Sequence, residues 1–311
     1  MNTYPFMSVP LPGLQERESL PSALLSTLPQ GAQIVGLSVY KNRTYPLTVQ
    51  NGMLLYPNIS AGIQYTEQGK MSPRRGNVFY TSDLQAYTVN RKSGRVVKLS
   101  FESGSVNSES YRPTSGKVTD LYLDQEKQVY ASSYRGSDST AISTVWRFTE
   151  GQFTKLFTVP GIIDKFVLGK KKMLMFGVLL TYFEGQREKW LIRADVRQDG
   201  EPTAAKYKLI EEASSDETTA LARDTDDNLY ISWQNKQVMA YRSDLKPMYT
   251  ATSSNDVRHL AVVEARLPTL YIGGYCKGSS MPCLDELNLD EESQPKQNTL
   301  YDVNFETQVS Y

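Results

Sequence analysis

The sequence predicts an all-β fold, a β-propeller of about six four-stranded blades over residues 31–311, preceded by an extended arm over residues 1–30. Three observations carry that expectation. A meander of apolar-alternating strands and polar turns recurs along the chain, and no helical period survives for any useful length. The first stretch of the chain, in contrast, is proline-rich and has no apolar set large enough to build a core.

The elements follow in order. In the arm, Pro5, Pro10, Pro12, Pro21 and Pro29 hold the backbone extended, and Phe6, Met7, Leu11 and Leu14 offer apolar anchors to a neighbour. The stretch "LPSALLSTL" has room for a turn or two of helix. Next, "QIVGLSVYKNRTYPLTVQNGMLLYP" and "GNVFYTSDLQAYTVNRKSGRVVKLSF" each read as three strands, and two blades fit there. Four related segments then appear: "VTDLYLDQEKQVYASS", "IDKFVLGKKKMLMFG", "TTALARDTDDNLYISW" and "VRHLAVVEARLPTLYIGG". They align on Leu121, Phe166, Leu221 and Leu260, and each leads into a second hairpin, which makes four strands per repeat. The count is six blades within a range of five to seven. The C-terminal "TLYDVNFETQVSY" alternates at Leu300, Val303, Phe305 and Val309, and is expected to close the ring by pairing with the first blade.

Composition limits the chemistry. Lys plus Arg (34) balances Asp plus Glu (34), so no net field draws the chain to nucleic acid or an anionic membrane. The longest apolar run, Met173 to Phe183, is too short to span a bilayer as a helix, and the N-terminus lacks the basic start of a secretory signal. Cys276 and Cys283, the only two cysteines, cannot close a structural zinc site; they read as reduced thiols, with a small disulfide loop as the alternative. Asp224, Asp226 and Asn228 alternate as calcium ligands do, but Leu229 and Asn235 stand where a calcium loop needs glycine and a bidentate acid. The stretch therefore reads as a hairpin turn. His259 is the one histidine and sits on a predicted inner strand, where a packing or a surface role is expected. "GKKKML" lacks the spacing of a phosphate loop. Asp120, Asp164, Glu217 and Asp256 precede or begin the first strands of their blades; they read as turn caps, the alternative being a ring of carboxylates around one channel mouth. On these grounds no catalytic, cofactor-binding or metal-binding residue is expected, no cofactor, and no enzymatic activity.

Pro12-Gly13-Leu14, Gly36-Leu37, Tyr45 to Val49, and Asn51-Gly52 before Leu55-Tyr56 form a series over about a quarter of the chain. In that order they resemble the start of the propeller proteins in short-tailed phage tail nozzles. The resemblance implies a structural virion protein that forms a homo-oligomeric ring. Its partners would be a portal-side adaptor and other tail proteins, with DNA only as passing cargo and no membrane insertion. The alternatives are a cytoplasmic, ligand-binding propeller for carbohydrate or protein, and a propeller hydrolase or lactonase using channel carboxylates.

Overall fold

The alternating pattern becomes twenty-four strands in a computed structural model. It describes residues 33–301, apart from residues 41–42, 51–52, 57–62, 67–78, 83–84, 91, 103–104, 138–139, 171–173, 184–185, 197–201, 210–219, 233–236, 254, 265–267, 277–281 and 290–296. The arm and residues 302–311 lie outside this description, and so does the helical turn expected from "LPSALLSTL".

The strands form six antiparallel four-stranded sheets, each built from consecutive strands. The first contains β1 (Gln33–Tyr40), β2 (Arg43–Gln50), β3 (Met53–Tyr56) and β4 (Ile63–Thr66). The second contains β5 (Phe79–Ser82), β6 (Gln85–Asn90), β7 (Arg95–Glu102) and β8 (Ser105–Tyr111). The third contains β9 (Lys117–Leu123), β10 (Val129–Arg135), β11 (Ile142–Thr149) and β12 (Gln152–Pro160). In the fourth are β13 (Ile162–Leu168), β14 (Leu174–Phe183), β15 (Gln186–Val196) and β16 (Pro202–Leu209). In the fifth are β17 (Ala220–Arg223), β18 (Leu229–Ser232), β19 (Gln237–Tyr241) and β20 (Pro247–Thr252). The sixth has β21 (Asn255–Val263), β22 (Thr269–Cys276), β23 (Pro282–Asn288) and β24 (Gln297–Tyr301).

The first strand of each sheet contacts the first strand of the next, from β1 through β5, β9, β13 and β17 to β21, and β21 returns to β1. Sheets standing face to face around a common axis, with their first strands innermost, make a β-propeller. Ring closure differs from the expectation. The described part of the C-terminal segment, β24, pairs with β23 of its own sheet, and the ring closes through β21 against β1.

The core lies between neighbouring sheets. Leu121 packs with Val89 and Val96 of the second sheet, while Phe166 and Leu168 pack with Phe157 and Val159 of the third. Val167 turns the other way, against Leu229 and Ile231 of the fifth. Alternation along an inner strand thus assigns successive side chains to opposite interfaces. Outer edges carry irregularities: the register shifts in the pairing of β12, β16, β20 and β24 with their neighbours, which bends a free edge away from further strand addition.

Turn chemistry is repeated as well. Lys127, Asp227 and Leu245 occupy the same place in three hairpins and adopt left-handed φ of 65°, 62° and 65°. At the entry to β9, Gly116 has φ +84°, and a β-carbon there would collide with the Tyr134 carbonyl oxygen. Gly116→Ala is therefore expected to destabilise the fold by about 2 kcal/mol or more in urea unfolding.

Candidate functional site

An innermost strand pairs on one side only, so its other backbone edge faces the axis and needs partners. The register shows how these strands deviate from regular pairing. On β9, Val118 and Asp120 oppose Ser133 and Ser132, leaving Thr119 as an extra residue. On β13 the extra residue is Asp164, between Ile163 and Lys165, and on β21 it is Arg258, between Val257 and His259. β1 repeats the device with Val35, between Ile34 and Gly36. Such bulges occur where a strand must re-aim a side chain. Val118, Ile163 and Val257 are buried, and Thr119, Asp164 and Arg258 are partly exposed. All three sit near the end where the inner strands begin.

One position further on stand Asp120, Lys165 and His259, all buried. Lys165 Nζ donates to Asp120 Oδ1 at 2.6 Å, and the Phe166 N–H donates to Asp120 Oδ2 at 3.2 Å. The second bond locates the carboxylate. β13 pairs with β14 alone, so an amide of β13 that is bonded to a side chain of β9 lies on the axial edge. Lys165 shares its side of the strand with Val167, which faces the fifth sheet, yet its amine meets the third. Its side chain must cross the axial edge of its own strand. The pair thus clips two blades together on the axis, with only 7% and 5% of the side chains exposed.

At the other end of the inner strands a second set of contacts links four sheets. Tyr122 Oη donates to the Leu168 carbonyl at 3.3 Å, and Arg223 donates to Asp227 Oδ1 at 2.9 Å and to the Asp224 carbonyl at 2.8 Å. The Lys170 N–H reaches Asp227 Oδ1 at 3.0 Å, and the Thr225 N–H reaches Glu264 Oε1 at 2.6 Å. Burial pushes the Tyr122 phenol up, although Arg223 opposes this. Burial also holds Glu264 above its ordinary carboxylate range, with the Thr225 N–H bond opposing and the Asp224 charge adding.

The sequence residues distribute as follows. Asp224 is a turn residue: its Oδ1 accepts from the Asp226 and Asn228 N–H groups at 3.0 and 2.8 Å, and its Oδ2 accepts from Asn228 Nδ2 and Tyr230 Oη, both at 2.9 Å. Asp124 repeats the arrangement with Gln128 and Tyr130, which explains why "DTDDN" and "DQEKQ" align. Burial and the Asp224 charge raise the Tyr230 phenol strongly, and burial takes Tyr249 up to about 12, so both stay protonated donors. Of the four proposed caps, Asp120 is instead the buried partner of Lys165, and Asp164 is the bulge residue of β13. Glu217 lies outside the described residues; Asp256 is on β21. Cys276 and Cys283 fall on β22 and β23, Cys283 opposite Gly274. The sequence reading missed Lys165, whose only signal was a lysine at the place held by Asp120 and His259 in the aligned repeats.

No protein-family model matches the chain, and no curated protein does either. Solved structures do match. A luciferin-regenerating enzyme is 10% identical over 78% of this chain and 85% of its own, with TM-score 0.55. A Lactobacillus plantarum protein is 12% identical over 86% and 84%, with TM-score 0.54. Hydrazine synthase of Kuenenia stuttgartiensis is 7% identical over 89% and 98%, with TM-score 0.52. At such identities the likeness is one of fold. Nothing in these comparisons carries the nozzle resemblance or its virion and oligomer terms; the propeller is what stands of it. The expectation that the chain is not an enzyme is corrected, because structures with this architecture include an enzyme by name. That expectation rested on missing local motifs, and a site built from separate inner strands leaves no local motif.

The buried charges have measurable consequences. Lys165→Met removes the ammonium bonded to buried Asp120 and should cost about 3–5 kcal/mol, whereas Asp120→Asn with Lys165→Met removes both charges and should cost about 1 kcal/mol or less in denaturant unfolding. Glu264 has a raised value in the fold, so its contribution is most favourable below the ordinary carboxylate range and is lost as pH rises through the folded value. Glu264→Gln, which keeps an acceptor for Thr225, should match or exceed the wild-type melting temperature at pH 7, and that advantage should shrink as pH falls toward 4.

Proposed function

We propose that the protein is a ligand-binding propeller whose site lies on the axis at the end where the inner strands begin. The observation that carries this reading is the set of register-matched bulges on β9, β13 and β21. They present Thr119, Asp164 and Arg258, three polar residues from three blades, at one level of the axis. Thr119 Oγ1 lies 2.7 Å from Ser132 Oγ, which ties it to its own sheet. Among the described residues, Asp164 has no such partner. A partly exposed carboxylate on an inner strand is available to a ligand that enters the axis. The fold class agrees, since clefts at the mouths of closed β structures are common ligand sites.

A second reading follows from Asp164, which directly precedes Lys165 on β13. A carboxylate that can take a proton from an attacking water, next to a donor for the developing oxyanion, is a pairing used in hydrolysis. The assembly role expected for residues 1–30 concerns a segment outside the described residues, and no observation here supports it.

The test is a thermal-shift screen of small sugars, esters and acids on the wild type, Asp164→Ala and Arg258→Ala. The melting temperature of each variant without ligand is the baseline against which its ligand shifts are read. A compound that stabilises the wild type should lose that effect in at least one variant by about tenfold in apparent affinity. If every stabilising compound acts equally on all three proteins, the site is elsewhere.

A further inference from the structure

The outer edges of the sheets differ in how they meet another strand. Pairing breaks register at β12, β16, β20 and β24. Three of these strands add residues that oppose further pairing: β12 holds Lys155 and ends at Pro160, β16 begins at Pro202 and holds Lys206 and Lys208, and β20 begins at Pro247. Bulges, prolines, lysines and short length are the means by which a sheet edge avoids a foreign strand. β4 is short, with four residues. β8 uses none of these means. Its seven residues pair with β7 without a break, from Ser105 opposite Glu102 to Tyr111 opposite Val96, and its sequence, SVNSESY, has neither lysine nor proline.

β8 is the last strand of its sheet, and Asn107, Ser108, Glu109 and Ser110 are all exposed. Successive residues face opposite sides of a sheet, so four exposed residues in a row leave both faces of this edge open. Among the described residues, β7 is the one strand with which it pairs. Every second amide and carbonyl of β8 therefore points away from its own sheet.

The sequence of β8 fits a second copy of itself. Two identical strands present outward amides of the same parity, so in an antiparallel pair one residue must oppose its own counterpart. Full overlap puts Ser108 in that place. Ser105 then opposes Tyr111, Val106 opposes Ser110, and Asn107 opposes Glu109. The only charge on the strand thus meets a side-chain amide that donates to it, and no like charges stand opposite. Glu109 is also held on its own strand, where the Tyr111 hydroxyl donates to it. Centring the pair on Glu109 instead would oppose two carboxylates, and centring it on Asn107 would leave Ser110 and Tyr111 unpaired.

We propose that β8 is a dimerisation edge, through which two copies of this chain pair antiparallel along Ser105–Tyr111 about a two-fold axis at Ser108. The pairing joins the second sheets of both copies into one continuous sheet. A single strand pair is a small contact, so the dimer forms at high protein concentration and separates on dilution. It does not depend on any ligand at the axial site.

The test is sedimentation velocity of the full chain from about 1 µM to about 1 mM. The weight-average mass of the wild type should rise from that of the monomer toward twice that value. Ser108→Lys sets two ammonium groups opposite each other at the two-fold axis and should weaken dimerisation about tenfold or more, whereas Ser108→Thr should leave it within about twofold. Hydrogen exchange of the wild type needs no variant: alternate amides of β8 should exchange more slowly at the highest concentration than at the lowest, while those of β12 exchange alike at both. The proposal is overturned if the wild type stays monomeric through the series, if Ser108→Lys dimerises as the wild type does, or if exchange in β8 does not depend on concentration.

Discussion

The hydrogen bond from the Phe166 amide to Asp120 is the contact on which the arrangement of the axis turns. A sheet that stands with its first strand at the centre of a ring has an edge that no other strand can reach. The polar groups on that edge face either water or side chains from the neighbouring blade. Asp120 answers the problem for β13 from β9, and a carboxylate in that place requires a cation. Lys165 supplies it from the strand being capped. One residue pair thus satisfies a backbone donor, neutralises a buried charge and fixes two blades relative to each other.

The bulges belong to the same logic. An extra residue before Asp120, Lys165 and His259 changes the side to which the chain points, so that an apolar residue can fill the interface before it and a polar one can follow. Without the bulge, strict alternation would force the polar level into one of the inter-blade cores. The far ends of the inner strands are bound differently, by Arg223, Tyr122, Asp227 and Glu264 acting between turns. One end of the inner strands is therefore tied by turn residues, and the other carries the bulges.

Much of the fold was legible because it depends on local signals. Alternation marked the strands, and Leu121, Phe166, Leu221 and Leu260 marked their register, since these residues face the inter-blade cores in all four aligned repeats. The turn at Asp224 could be read from its relation to Asp124, where the same carboxylate bonds back to its own hairpin. The site was far less legible. Asp120 and Lys165 are 45 residues apart and meet only when two sheets stand side by side. Asp164 looked like a cap because a bulge has no sequence signature; it shows only in the pairing partner's register. Of the C-terminal segment, the described residues Thr299 to Tyr301 pair within their own sheet, since alternation marks a strand but not the sheet that receives it.

The axial edge of β13 is where this arrangement can be measured. Native-state hydrogen exchange of individual amides reads it directly, because an amide facing an open channel exchanges through water and one bonded to a buried carboxylate does not. The Phe166 amide should exchange as slowly as that of Val167, its neighbour on the other edge of the strand. Fast exchange at Phe166, with Val167 still protected, would show that the Asp120 carboxylate does not sit on the axis and that the blades are held together by other means.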